Sequence, residues 1–383
     1  MYVNRDSARK IVRGAAENLS FRRAWTWAGF GGAWAGLRSA VAVGRAADDL
    51  LYPAWRGQRV REPVFIFANG RSGTTMLHRL LSTDTEHFAG YRLYQSIFSA
   101  VSIQRLFEGL GRTPGVGALG RKGVEAINQA FFSGWEGIHE MGIDKEEEDE
   151  ALFALTCETP TVSLLNPFME GYSHIGWLDE APPEQRRAFM DFYEAAVKKH
   201  LYAVGGDKHF LTKNVFTTPR VRTFLERFPD GRFVYLIRHP YKSLPSWLNM
   251  FHEKWVTHSP ELVHDSPQAR ELAQMYFDYY RYALELKRTL PEERLRVVRY
   301  EELVRDPKRV VEGVYEWLGE TMSPGYRKTL EEMTTRQKRY KSAHRYSLAQ
   351  FGLTEEWVYR QIPEVFEAFG YAEDGPQGLA PAA

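Results

Sequence analysis

The chain has 383 residues, 44% of them hydrophobic and 14% aromatic, enough to bury a large core. Its 50 basic and 49 acidic residues leave a net charge of +1, so no global field pulls the chain towards nucleic acid or anionic lipid, and any phosphate recognition is local. The single cysteine, Cys157, excludes an internal disulfide, and no N-terminal stretch combines a charged segment, an apolar core and a small-residue cleavage site, so a reducing, cytoplasmic setting is expected.

Residues 1–60 read as a helical arm rich in Ala, Arg and Trp. Within it, Ala24 to Leu37 is uncharged, but it falls short of the roughly 18 to 20 residues of a spanning helix. Its tryptophans and flanking arginines suit a helix lying in a membrane interface through residues 21–38, while its four glycines weigh against a helix. The alternatives are an arm packed on the main domain and one half of a homodimer contact. From residue 61 to 370 the pattern changes to short apolar runs separated by helical stretches. Val64 to Ala68 is a short apolar run, followed by a glycine-containing turn and a helical stretch, Thr74 to Leu81. A long amphipathic helix begins after Pro182-Pro183 and stops at Gly205-Gly206. Three further strand candidates follow: His209 to Thr212, Arg232 to Ile237 and Leu295 to Arg299. Apolar runs separated by helices predict a parallel sheet covered on both faces, with ligands at the carboxyl ends of its strands. Lys213, Arg238 and Tyr300 stand just beyond three of those ends. Residues 371–383 carry too little apolar material to fold and are expected to be a disordered tail.

The turn after the first strand reads Gly70-Arg71-Ser72-Gly73-Thr74-Thr75. Backbone N–H groups and the helix dipole favour an anion there, the glycines let the backbone wrap a phosphate, and Arg71 with the hydroxyls adds donors. Aligned with the loop of kinases and ATPases, Thr74 stands where their lysine should be, and the cation has moved forward to Arg71. Arg238 likewise replaces the strand-end carboxylate that helps hold Mg²⁺ in an NTPase, so a metal-free site is expected. Arg238 and Ser246, eight residues apart, place a guanidinium and a hydroxyl where they can share one oxyanion. The run Lys338 to Tyr346 holds four cations, two tyrosines and a histidine, and a second phosphate on the ligand makes all three basic elements useful together.

Together these segments resemble the PAPS-dependent sulfotransferases, which use 3′-phosphoadenosine 5′-phosphosulfate (PAPS). GRSGTT resembles their 5′-phosphosulfate loop, RFVYLIRHPYKSLPSW their 3′-phosphate strand-turn-helix, RYEEL their third motif, and YKSAHRYSLAQFGL a C-terminal segment of bacterial members. The resemblance spans roughly residues 63 to 360. It implies one mixed α/β domain over residues 61–370, with a P-loop NTPase-like central parallel sheet flanked by helices, no metal, PAPS as co-substrate and adenosine 3′,5′-bisphosphate as product. It assigns Arg71, Ser72, Gly73, Thr74 and Thr75 to the 5′-phosphate, Arg238 and Ser246 to the 3′-phosphate, Tyr300 to the adenine, and Lys341, His344 and Tyr346 to completing the 3′ site.

Sulfuryl transfer needs an acceptor hydroxyl or amine placed in line, cations on the leaving phosphate oxygen, and a base. Arg71 and Lys213 are the candidates for the cations. The family's usual bases are missing: the two histidine positions after Lys213 are Val215 and Thr217, and the glutamate position beyond the phosphate loop ends in Gln95. His139 and the acidic run Glu146 to Glu150 are the remaining base candidates, the run reading equally well as a solvated helix start. The alternatives in other classes are an Mg-ATP-dependent P-loop kinase and a non-catalytic nucleotide-binding adaptor. Tyr91, Tyr94, Phe98, Phe107, Phe131, Phe132 and Trp135 are candidates for an apolar acceptor pocket, with core packing as the alternative; the acceptor itself, small molecule, lipid or glycan, is not readable.

Overall fold

A computed structural model of the chain describes residues 1–113, 142–337 and 346–371. Its centre is one sheet of five strands: β1 (Val64–Ala68), β2 (Phe88–Gly90), β3 (His209–Lys213), β4 (Arg232–Ile237) and β5 (Leu295–Arg299). The order is β2-β3-β1-β4-β5 and every pairing is parallel. Four strands fall where the apolar runs predict them. The edge strand β2 is the addition, and three residues are too few to carry a period.

The runs lack alternation because both faces of the sheet are covered. Val64, Ile66 and Ala68 face one layer with Leu77, Leu80 and Leu81 of the helix that follows β1. Phe65 and Phe67 face the other, where Phe65 stacks on Phe233 at 5.0 Å between ring centroids and Phe67 lies 5.0 Å from Tyr235. The covering helices, in chain order, include α1 (Arg5–Glu17), α2 (Phe21–Leu51), α3 (Thr74–Ser82), α4 (Leu93–Ile97), α5 (Val101–Arg112) and α6 (Glu150–Thr156). They continue with α7 (Pro183–Val204), α8 (Val221–Arg227), α9 (Pro240–His258), α10 (Pro267–Thr289), α11 (Tyr300–Arg305) and α12 (Pro307–Leu318). The tail from residue 372 lies outside the described residues.

The arm corrects one expectation. Helix α2 runs unbroken through Gly29, Gly31, Gly32 and Gly36, although glycine disfavours a helix by about 1 kcal/mol per residue. Tertiary contacts outweigh that propensity. Ser20 caps the first turn by accepting from Arg23 N at 3.3 Å, Trp34 Nε1 donates to Ala154 O at 3.1 Å, and Arg38 donates to Leu155 O. Asp48, fully buried near the other end, accepts from Val101 N at 2.9 Å, Ser102 N at 2.7 Å and Lys199 Nζ at 2.8 Å. It therefore caps α5 and ties the arm to α7. At the chain start, Asn4 N donates to Thr156 O at 2.9 Å and Tyr2 hydroxyl to Glu158 at 2.5 Å. No helix among the described residues is long and apolar enough to cross a membrane.

Candidate active site

The turn between β1 and α3 is shaped by what it cannot hold. A Cβ on Gly70 would lie 2.1 Å from Trp247 of α9, and one on Gly73, whose φ is +89°, would lie 2.8 Å from Tyr300 of α11. The loop is thus pressed between two aromatic rings, and only glycine fits at either place. Arg71 also adopts a left-handed φ of +69°. Its neighbours hold it there: its Nε donates to Ser246 Oγ at 3.0 Å, and its carbonyl accepts from Arg238 Nη1 at 2.7 Å. The Arg238 guanidinium lies 4.2 Å over the Tyr300 ring. Asn69 and Gly70 are fastened to α10, through Asn69 Nδ2 to Tyr276 O at 2.7 Å and Tyr276 hydroxyl to Gly70 O at 3.2 Å.

Four separate stretches of sequence therefore meet at the carboxyl ends of β1, β4 and β5. Ser72 is buried beside the Tyr276 hydroxyl, Thr74 is buried in the first turn of α3, and Thr75 is half-buried beside it. Tyr346 approaches from the C-terminal side, next to Asn249 and Glu253 of α9 and within range of the Arg71 charge; burial raises its hydroxyl pKa. Lys341, His344 and His139 lie outside the described residues.

Lys213 is the last residue of β3 and is fully buried. Its Nζ donates to Glu148 Oε1 at 2.7 Å and lies 3.8 Å from Glu147 Oε2. The acidic run is therefore no solvated helix start. Asn214, beside the lysine, clamps it by donating to Asp149 Oδ1 at 2.9 Å and Glu150 Oε2 at 2.8 Å. Tyr193 bonds to Asp149, and Thr159 and Thr161 bond to Glu150. Burial pushes Glu147 up to about 7, against the pull of Lys213. It pushes Asp149 up to about 6, opposed by the bonds from Tyr193 and Asn214, and Glu150 up to about 7, opposed chiefly by Arg220. His78 of α3, fully buried, is driven down to about 3 by burial and then by Lys213, so the phosphate-loop helix adds no imidazolium here.

A family model described as "Sulfotransferase family" matches residues 63–324, more than half the chain. The chain belongs to the sulfotransferase family. The omega-hydroxy-beta-dihydromenaquinone-9 sulfotransferases Stf3 of Mycobacterium tuberculosis and Mycobacterium bovis are each 23% identical to it over 335 residues, spanning 84% of this chain and 80% of theirs. Sulfotransferase STF9 from Mycobacterium avium shares the fold with a TM-score of 0.70 at 20% identity, over 86% of this chain and 81% of that one. Sulfotransferase STF1 from Mycobacterium tuberculosis does so with a TM-score of 0.64 at 20% identity, over 82% and 79%.

In this sulfotransferase the predicted acceptor aromatics divide. Tyr91 is core: it is fully buried, 4.3 Å from the His200 ring and 5.2 Å from Phe210. Tyr94, Phe98 and Phe107 instead gather between α4 and α5, with Phe107 6.0 Å from Tyr94 and 5.6 Å from Phe98. Phe131, Phe132 and Trp135 lie outside the described residues. Gln95, at the position of the family's glutamate base, is buried and caps α4 by accepting from Arg92 N at 2.9 Å.

Proposed function

We propose that this sulfotransferase takes its sulfuryl group from PAPS and passes it to a hydroxyl of a lipid-like acceptor, with Glu148 receiving the hydroxyl proton. The observation that carries the donor assignment is the meeting of the phosphate loop with Arg238, Ser246 and Tyr300, which offers two anion-binding places beside one aromatic ring. The buried hydroxyls of Ser72 and Thr74 and the cradle at Gly70 and Gly73 fit a phosphate.

PAPS, when bound, supplies an activated sulfuryl group carried on a phosphate. Arg71, Ser72, Gly73, Thr74 and Thr75 would hold its 5′ side, and Arg238 with Ser246 its 3′-phosphate. Tyr300 would lie by the adenine, and Tyr346, Lys341 and His344 complete the 3′ side. Lys213 and Arg71 bring positive charge to the side where negative charge develops. Lys213 also holds Glu148 Oε1 at 2.7 Å, which leaves Oε2 to accept the acceptor's proton. Glu148 suits that role better than Glu147, because its side chain is 21% exposed whereas that of Glu147 is 4% exposed. The name of the mycobacterial relatives, which act on a menaquinone derivative, supports a lipid-like acceptor, as does the aromatic wall of Tyr94, Phe98 and Phe107.

Turnover of labelled PAPS with a polyprenyl alcohol, beside calorimetry with adenosine 3′,5′-bisphosphate, tests the assignment. Glu148→Gln is expected to lower turnover by about 10² to 10⁴ while bisphosphate affinity holds. Full turnover in Glu148→Gln with loss in His139→Ala would move the base to His139. Tighter binding of Mg-ATP than of the bisphosphate would overturn the donor.

A further inference from the structure

Among the described residues, twelve of the fifteen exposed large hydrophobic side chains lie in residues 1–51 and on α5; the other three are Val204, Val263 and Val304. Scattered exposure needs no explanation, but this concentration does. Along α2 the outward side chains run from Phe21 (80% exposed) and Trp25 (68%) through Gly32, Gly36 and Ser39 to Val43 (70%) and Leu50 (83%). From Phe21 to Leu50 that row is about 44 Å long. Between Arg23 and Arg45 the only charged residue is Arg38, and its guanidinium turns inward, to Leu155 O and to Tyr2 O at 3.2 Å. The inner face of the helix has its partners in the domain; the outer face has a row of apolar and small side chains without a charge.

The charge beside this row decides what covers it. Residues 1–24 carry six cations, Arg5, Arg9, Lys10, Arg13, Arg22 and Arg23, against Asp6, which pairs with Arg9 at 3.0 Å, and Glu17, which pairs with Arg13 at 2.6 Å; Arg23 turns inward to Ser259 Oγ at 3.1 Å and to Glu261, which leaves an outward excess of three in a chain whose net charge is +1. On α1, Ser7, Ile11 and Gly14 are buried. Helical spacing puts Arg5, Arg9 and Arg13 together on an outer flank with exposed Val12. Exposed Leu19 leads from there to Phe21 and Trp25, whose rings meet edge to face at 6.4 Å. Aromatic side chains bordered by cations are what a helix in the plane of an anionic bilayer presents. Between Arg23 and Arg45 the outer face offers no acidic side chain with which a second copy could pair that excess.

We propose that α1 and α2 dock the sulfotransferase on an anionic lipid surface, with Phe21 and Trp25 entering the acyl boundary and the arginines of α1 on the headgroups. The element lies on the bilayer and does not span it. Docking would also turn the acceptor side toward the lipid, because α5 is capped by Asp48 of α2 and carries Phe107 of the aromatic wall. The inference goes beyond sulfuryl transfer and its test needs no donor.

The full chain is sedimented with vesicles of phosphatidylcholine alone and of phosphatidylcholine with phosphatidylglycerol, at low and high salt, and its tryptophan emission is read with brominated lipids. Binding to the anionic vesicles, reversed by salt and quenched by bromine, is expected. Phe21→Ser/Trp25→Ser should lower partitioning at least about tenfold, and Arg9→Glu/Arg13→Glu should lower it on anionic vesicles, with thermal melts and bisphosphate titration unchanged. Wild-type protein that stays in the supernatant at low salt overturns the proposal. So does a dimer that Trp25→Ser dissociates when no vesicle is bound, since that gives the face to a second copy. Failure of the wild type to bind bisphosphate would count against the donor reading and leave docking untouched.

Discussion

Arg238→Ala tests the proposal that Arg238 reads the second phosphate of the donor. In the structure the Arg238 Nη1 holds Arg71 O at 2.7 Å, and its guanidinium lies 4.2 Å over Tyr300. Losing the loop contact should weaken every nucleotide by about 1 kcal/mol. Losing the charged donor to the 3′-phosphate should add about 2–4 kcal/mol for a bisphosphate alone, or about 30- to 1,000-fold in Kd. Calorimetry with adenosine 3′,5′-bisphosphate and with adenosine 5′-monophosphate separates the two. The wild type is expected to prefer the bisphosphate and Arg238→Ala to lose most of that preference, while Arg238→Lys, which keeps the charge but not the fork, falls between. Equal weakening of both nucleotides would refute the reasoning, because Arg238 would then serve only to hold the loop.

Gly73→Ala forces a side chain onto a φ of +89° and into Tyr300, and should weaken bisphosphate binding at least about tenfold by calorimetry; unchanged affinity would remove the loop from the site. Asp48→Ala leaves buried Lys199 without its carboxylate and should destabilise the fold by about 3–5 kcal/mol in denaturant melts; a cost under about 1 kcal/mol would mean that α2 is not joined to the core. The raised acids predict a pH dependence of definite sign. Glu147 and Glu150 are pushed from 4.5 to about 7 and Asp149 from 3.8 to about 6, so between about pH 4 and 7 the folded chain binds more protons than the unfolded chain. Their contribution to stability is present below that window and is lost as pH rises through it. Glu147→Gln, neutral throughout, should gain Tm relative to the wild type between about pH 5 and 8, and a constant difference would refute the shift.

Much of this was legible because strand ends announce themselves. Arg238 follows the apolar run of β4, Tyr300 follows β5, and Lys213 closes β3 while still buried, so a polar side chain marks the carboxyl end of each strand. Arg71 and Ser246 were readable from spacing, though their contact at 3.0 Å across 175 residues was not. The arm shows the opposite case. Counting glycines weighs against α2, because propensity sees the helix alone, whereas Trp34, Arg38 and Asp48 stabilise it from the domain.

The acidic run was the least legible part, and the reason bears on mechanism. Five consecutive acids from Glu146 to Glu150 look like a solvated face, and nothing in their spacing shows that Asn214 and Lys213 draw them into the end of β3. The usable sign was indirect: a lysine closing an apolar run needs a counter-charge, and this run is rich in carboxylates. A buried lysine–carboxylate contact contributes little stability compared with apolar side chains of the same volume, and here it stands among acids that burial has already raised. Folding alone therefore accounts poorly for keeping it beside the phosphate loop. The proposed transfer to a hydroxyl gives the pair a use: a cation and a proton acceptor held 2.7 Å apart.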